Sequence, residues 1–183
     1  MDPLAWLGLS KGRPGTTHLS AIHAKVKALL PEDESVVHRY IVTVAVLLTR
    51  VAQSDGQVRP CEFDRLGVLF RHIDRMPSEG VESLCNTLNA TVPQLTASEL
   101  DLCYRELKSL CDADERLQVM RLLASQATVD GIVAPMVHSE LMSIATALDV
   151  PSSLLEQLEV DALTSEAPPI AIEDLAEQEP HRG

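Results

Sequence analysis

A chain of 183 residues with 45% apolar but only 3% aromatic side chains is long enough for one full core, and Leu, Val, Ala and Ile must fill it, the residues that interlock helices along narrow stripes. The formal net charge of −12 at pH 7 disfavours nucleic acid and anionic bilayers as partners, because phosphate binding runs on clustered Lys and Arg. The four cysteines, Cys61, Cys85, Cys103 and Cys111, form no CxxC pair; they lack the close spacing of zinc knuckles and read as buried, reduced thiols in a cytoplasmic protein.

The chain begins with a lead, residues 1–18, expected to be flexible around Gly12, Pro14 and Gly15. Its apolar patch at Leu4, Trp6 and Leu7 has neither a basic flank before it nor small cleavage-type residues after it, so it does not read as a signal peptide. A helical stripe follows at Leu19, Ile22, Val26, Leu29 and Leu30, stopped by Pro31. Glu32 to Glu34 suit the positive N-terminal end of the next helix, about Ser35 to Ser54, whose inward face is Val37, Ile41, Val44, Leu48, Val51 and Ala52. The apolar run within it, Val44 to Leu48 preceded by Ile41 and Val42, is far short of the roughly 18 to 20 residues that span a bilayer, so no direct membrane insertion is expected.

At Asp55-Gly56-Gln57-Val58-Arg59-Pro60 glycine can take the left-handed conformation that ends a helix, and proline can occupy the first position of the next. Helices are expected at about 61–74 and 79–90. Thr96-Ala97-Ser98-Glu99 and Asp112-Ala113-Asp114-Glu115 each have the form of a capping box, and open helices at about 97–111 and 113–129. A second joint, Asp130-Gly131-Ile132-Val133-Ala134-Pro135, leads to helices at about 136–148 and 152–159. Residues 160–183 carry six acids against one base and read as a disordered acidic tail.

A shift of 75 residues aligns Val44, Leu47, Leu48, Ala52, Asp55, Gly56, Val58, Pro60, Leu66 and Asp74 with Val119, Leu122, Leu123, Ala127, Asp130, Gly131, Val133, Pro135, Leu141 and Asp149, ten identities in 31 ungapped positions. Average residue usage predicts about two or three, so a duplication is the better explanation. The expected fold is all-α: a seven- to eight-helix bundle over 19–159, built from two duplicated helical hairpins, about 36–90 and 111–159, related by pseudo-twofold symmetry.

With these two joints the chain resembles the tellurite-resistance TerB-like family, whose members share an apolar helix ending in an A-x-x-DG-x-V/I joint that is repeated once. The first copy here is Ala52 to Val58 and the second Ala127 to Val133, and the likeness covers roughly 36–158. The resemblance implies an all-helical bundle found alone or fused to other bacterial modules, including the amino-terminal part of some J-domain co-chaperones. It also implies metal-linked stress response and protein scaffolding rather than a defined reaction. The family's acid seven places after the motif Asp is matched by Glu62 in the first copy and replaced by Val137 in the second. No His-Pro-Asp tripeptide occurs, so the chain has no J-domain of its own.

Two readings stay open for Asp55 and Asp130. Each can cap the following helix, accepting backbone N–H groups that neither Arg59 nor Ala134 can satisfy. Alternatively, both can join Glu62 in holding a divalent metal, the only cofactor in view. Asp55 to Phe63 also copies the second half of a calcium loop, but Val51 and Gln53 stand where its first two carboxylates belong. Cys61 is near a helix start, where a thiol pKa can fall, yet its repeat mate is Met136, which marks the position as apolar packing. His72 and His138 read as surface or half-buried residues, not ligands. In the tail, Ile170, Ile172 and Leu175 interrupt the acids, the mixture of a solvating tail or of a peptide that folds onto a partner. No nucleophile–base pair, phosphate-binding glycine loop or dense acid cluster supports an enzyme. The expected function is therefore a non-enzymatic interaction module with an unidentified protein partner; the alternative is a divalent-metal sensor at the two Asp-Gly joints.

Overall fold

A computed structural model describes residues 17–56, 60–71, 73, 76–128 and 133–164 of the chain, with side chains excluded for 60–63. The described residues form eight α-helices and one short 3-10 turn, with no strand among them. In chain order they are α1 (His18–Leu29), α2 (Ser35–Gln53), α3 (Pro60–Arg71), α4 (Ser78–Thr91), the turn Val92–Gln94, α5 (Ala97–Leu110), α6 (Ala113–Ala127), α7 (Pro135–Ala147) and α8 (Ser152–Thr164). The all-α expectation holds.

Helix boundaries follow from local chemistry. Thr17 caps α1, its hydroxyl accepting the Ser20 N–H at 3.2 Å, so Thr17 and His18, assigned to the lead from the sequence, belong to the helix start. Both expected capping boxes are present. The Thr96 hydroxyl accepts the Glu99 N–H while the Glu99 carboxylate accepts the Thr96 N–H, and Asp112 and Glu115 make the same reciprocal pair at α6. The last helix runs further than its sequence signals indicate. Residues 160–164, read as the beginning of the tail, are the final turn of α8, because Ala162 continues the stripe of Leu155 and Leu158 onto the core.

α2 is the axis of the bundle, packing against α1, α3, α4, α5, α6 and α7. Its sequence stripe predicted one inward face; instead every residue from Tyr40 to Thr49 is buried. A helix with neighbours all round has no solvent side. The two threonines in that stretch satisfy their hydroxyls within the helix: Thr43 Oγ1 donates to the Arg39 carbonyl at 2.8 Å and Thr49 Oγ1 to the Ala45 carbonyl at 2.7 Å. α2 is also the one described helix long and apolar enough to cross a membrane, at 19 residues and mean hydropathy 1.4, and 72% of that window is buried within the bundle. This exceeds the apolar run read from the sequence, because the helix also takes in Val36, Val37, Tyr40, Val51 and Ala52 and carries only two charged residues, Arg39 and Arg50.

The segments aligned by the 75-residue shift begin in α2 and α6, which pack on each other, while α2 also packs on α7 and α6 on α3. The aligned leucines Leu47 and Leu122, Leu48 and Leu123, and Leu66 and Leu141 are all buried. α8 lies against α6 and α7, and α1 against α2 and α4.

Candidate functional site

The first Asp-Gly joint begins where α2 runs out of partners for its last carbonyls. The Ser54 N–H donates to the Val51 carbonyl at 3.3 Å, and the Gly56 N–H to the Gln53 carbonyl at 3.0 Å. Gly56 has φ +78°, the left-handed conformation expected of a helix-ending glycine. An added Cβ there would touch nothing within 4 Å, so the backbone angle, not crowding, demands glycine. α3 then opens at Pro60. At the second joint Pro135 occupies the start of α7 behind Ala134, which supplies no side-chain cap.

Of the three acids proposed to share a metal, Asp55 is half-buried at the first joint. Asp130, with Gly131, and the side chain of Glu62 lie outside the described residues, as do the Cys61 side chain and His72. Among the described residues, no group of three His, Cys, Asp or Glu is close enough to hold a metal ion.

Beside the joint is a cleft of about 440 Å³, lined by Arg50, Gln53, Ser54 and Gly56 from the end of α2, Asn89 from α4, Val92 and Pro93, and Glu140 from α7. Four of its polar side chains are bound in two pairs, Arg50 with Glu140 and Gln53 with Asn89. Arg50 Nε donates to Glu140 Oε1 at 2.6 Å, with the two side chains only 29% and 17% exposed. That hydrogen bond holds the Arg50 guanidinium above its ordinary pKa, against the opposing effect of burial. Across the cleft Gln53 Nε2 donates to Asn89 Oδ1 at 2.9 Å. The Arg50–Glu140 pair was missed in the sequence, although a signal existed: Arg50 is the lone charged residue between Tyr40 and Ser54. An unaccompanied charge in an apolar helix implies a partner. The repeat mates of the pair, Ser125 and Arg65, cannot reproduce it; Arg65 has a buried Nε with no hydrogen-bond partner, and burial lowers its pKa.

Among the described residues, the three cysteines are quiet. Cys85, Cys103 and Cys111 are buried and free, and burial pushes their thiols up to about 11, 12 and 12. Such thiols stay protonated at neutral pH, the opposite of an activated nucleophile. His138, read as surface or half-buried, has a side chain 42% exposed and paired through Nδ1 with Glu159 at 2.9 Å, which ties α7 to α8. At the end of α7, Asp149 adopts φ +58°, and its carboxylate takes the Lys108 ammonium at 2.6 Å.

A family model described as tellurite resistance protein TerB matches residues 42–160. The match runs from within α2 to within α8 and includes both Asp-Gly joints and the cleft, while α1 falls outside it. No curated protein and no solved structure matches the chain.

Proposed function

Since the chain belongs to the TerB family, we propose that it is a non-enzymatic helical module that holds a protein partner at the cleft beside its first Asp-Gly joint, in the bacterial cytoplasm and as part of a stress response. The cleft carries this reading: α2, α4 and α7 all contribute to one concave surface, across which Arg50 is held by Glu140 and Gln53 by Asn89. A surface ordered before binding loses little entropy when a partner docks. The elevated thiol pKa values also support a binding role over nucleophilic chemistry. We read α2–α3 and α6–α7 as two copies of one hairpin about a pseudo-twofold axis, supported by the reciprocal packing of α2 on α7 and α6 on α3. The cleft breaks that symmetry, since Arg50 and Glu140 have no equivalent pair in the other half. One face of the bundle is thereby singled out.

The test is site-specific photo-crosslinking in cells, with the reactive residue at Asn89 in the cleft or at the exposed Arg121 on α6. A protein adduct from position 89 that is absent from position 121 and lost in Arg50→Ala supports the reading. Equal adducts at both positions, or none at 89, overturn it. A metal role is tested separately by thermal unfolding with calcium, magnesium, manganese or zinc. A rise in midpoint that disappears in Asp55→Ala adds a cation to the joint; no rise leaves the cleft as a protein-binding surface alone.

A further inference from the structure

α2 and α6, paired by the 75-residue offset, differ in one face that is covered on the first and open on the second. On α2 the positions Arg39, Thr43, Val46 and Arg50 form one stripe, spaced by four, three and four residues. α5 packs across that stripe: Glu106 ion-pairs with Arg39 at one end, and Tyr104 lies within electrostatic reach of Arg50 at the other. Thr43 and Val46 between them are fully buried. The corresponding stripe on α6 is Asp114, Gln118, Arg121 and Ser125. There Asp114 and Arg121 are exposed and Gln118 and Ser125 half-buried, because the neighbours of α6, chiefly α2, α3, α7 and α8, leave this side open.

Two cations border the open stripe, and neither is ion-paired with Asp or Glu among the described residues. Arg121 is exposed on the stripe itself. Arg65 of α3 is the repeat mate of Glu140, the residue that reaches Arg50 at the end of the α2 stripe. Its Nε is buried and has no hydrogen-bond partner. Arg65 stands on the flank of α3 away from α4, since Gly67, where an added Cβ would lie 4.0 Å from Val81 of α4, is two residues on and so roughly 200° round the helix. The other neighbours of α3 are α2 and α6.

We propose that residues 165–183 dock on the open stripe of α6 as α5 docks on α2, with their carboxylates at Arg121 and Arg65. This segment, read from the sequence as the rest of an acidic tail, lies outside the described residues. It follows α8 as α5 follows α4. The offset sets Pro168 against Pro93 of the short turn, and Ile170 and Leu175 against Leu95 and Leu100, both of which pack on the core. Its charge is complementary: five acids (Glu166, Glu173, Asp174, Glu177 and Glu179) against Arg182 meet two guanidinium groups that lack a carboxylate. Its length suffices, because α5 covers the α2 stripe with 14 residues and the segment is longer. Exposed ion pairs are weak and screened, so the docking is reversible and weakens with salt. This placement rests on the reading of the two halves as copies, not on a partner at the first cleft.

The experiment is photo-crosslinking of the purified full chain with benzoylphenylalanine at Gln118, in an equal mixture of heavy-isotope and normal chains, the products mapped by mass spectrometry. The expected product joins position 118 to residues 165–183 of the same chain, in higher yield than from the same probe at the exposed Glu82 of α4. Arg121→Glu should lower the yield about fivefold, and Glu173→Lys, Asp174→Lys and Glu177→Lys together should restore it in that background. Should Arg121→Glu not fold, salt decides on the chain carrying the probe alone: about 0.5 M should lower the yield to a similar extent. Absence of any crosslink to residues 165–183 overturns the proposal, as do equal yields from positions 118 and 82. Products joining heavy to normal chains would give the stripe to a second copy and overturn it too, as would a yield indifferent to both Arg121→Glu and salt. Adducts from position 89 report on the cleft separately, so failure here and failure there are distinguishable.

Discussion

Glu99 accepts the backbone N–H of Leu19 at 3.0 Å, although 80 positions separate them in the sequence. The same carboxylate accepts the Thr96 N–H at 2.9 Å and the Thr96 hydroxyl at 2.9 Å. One side chain therefore completes the capping box of α5 and satisfies an orphan donor at the start of α1.

Removing that carboxylate should loosen two helix starts together. Glu99→Ala is expected to cost about 1 to 2 kcal/mol, with the exchange of α1 amides rising alongside those of the first turn of α5. Urea unfolding combined with hydrogen exchange checks this; a cost confined to α5 would show that the Leu19 contact contributes nothing. The effect has a pH signature. Burial raises the pKa of Glu99, but the N–H groups of Thr96 and Leu19 and the Thr96 hydroxyl outweigh it and leave the pKa lowered. The carboxylate thus stabilises the fold fully above the ordinary Glu value of about 4.3, and that contribution is lost as pH falls through the lower folded value. The difference in stability between wild type and Glu99→Gln should shrink across that window.

At the joint, Gly56→Ala should destabilise by about 1 to 2 kcal/mol, the usual penalty for a Cβ in the left-handed region. Because open space surrounds the position, Gly56→Asn should cost less, as asparagine tolerates this conformation better. Denaturant midpoints of the two variants give the comparison. Equal costs would point to a steric origin instead of a conformational one.

The Arg50–Glu140 pair should show coupling of about 1 to 3 kcal/mol in a double-mutant cycle. Arg50→Ala is expected to be the more damaging single change, since it strands Glu140, 17% exposed, without its cation, while a bereaved arginine can extend its long side chain toward water. Additive single mutants would mean that the cleft wall does not depend on this contact.

Leu48 and Leu123, aligned in the internal repeat, are both fully buried. Leu48→Ala and Leu123→Ala should each cost about 2 to 5 kcal/mol by equilibrium unfolding, with the spread set by how far each cavity collapses. A cost below about 1 kcal/mol at either position would show that it is not a packed core site.

What the sequence by itself determined was local. Thr96 with Glu99, Asp112 with Glu115, Gly56 with the end of α2, and Pro135 with the start of α7 all act within a few residues of their own backbone, so spacing along the chain was enough to place the helix boundaries and the joints. The ten identities at an offset of 75 residues were legible for the same reason: identity at a fixed offset needs no coordinates. Tertiary structure alone decided what those helices face. It enclosed α2 on every side and carried α8 on to Thr164. It also joined Arg50 to Glu140, His23 to His38, and Glu99 to Leu19. A 3.6-residue stripe records that a helix has an apolar side but not how many neighbours share it, and a charged side chain does not encode the address of a partner brought near only by packing.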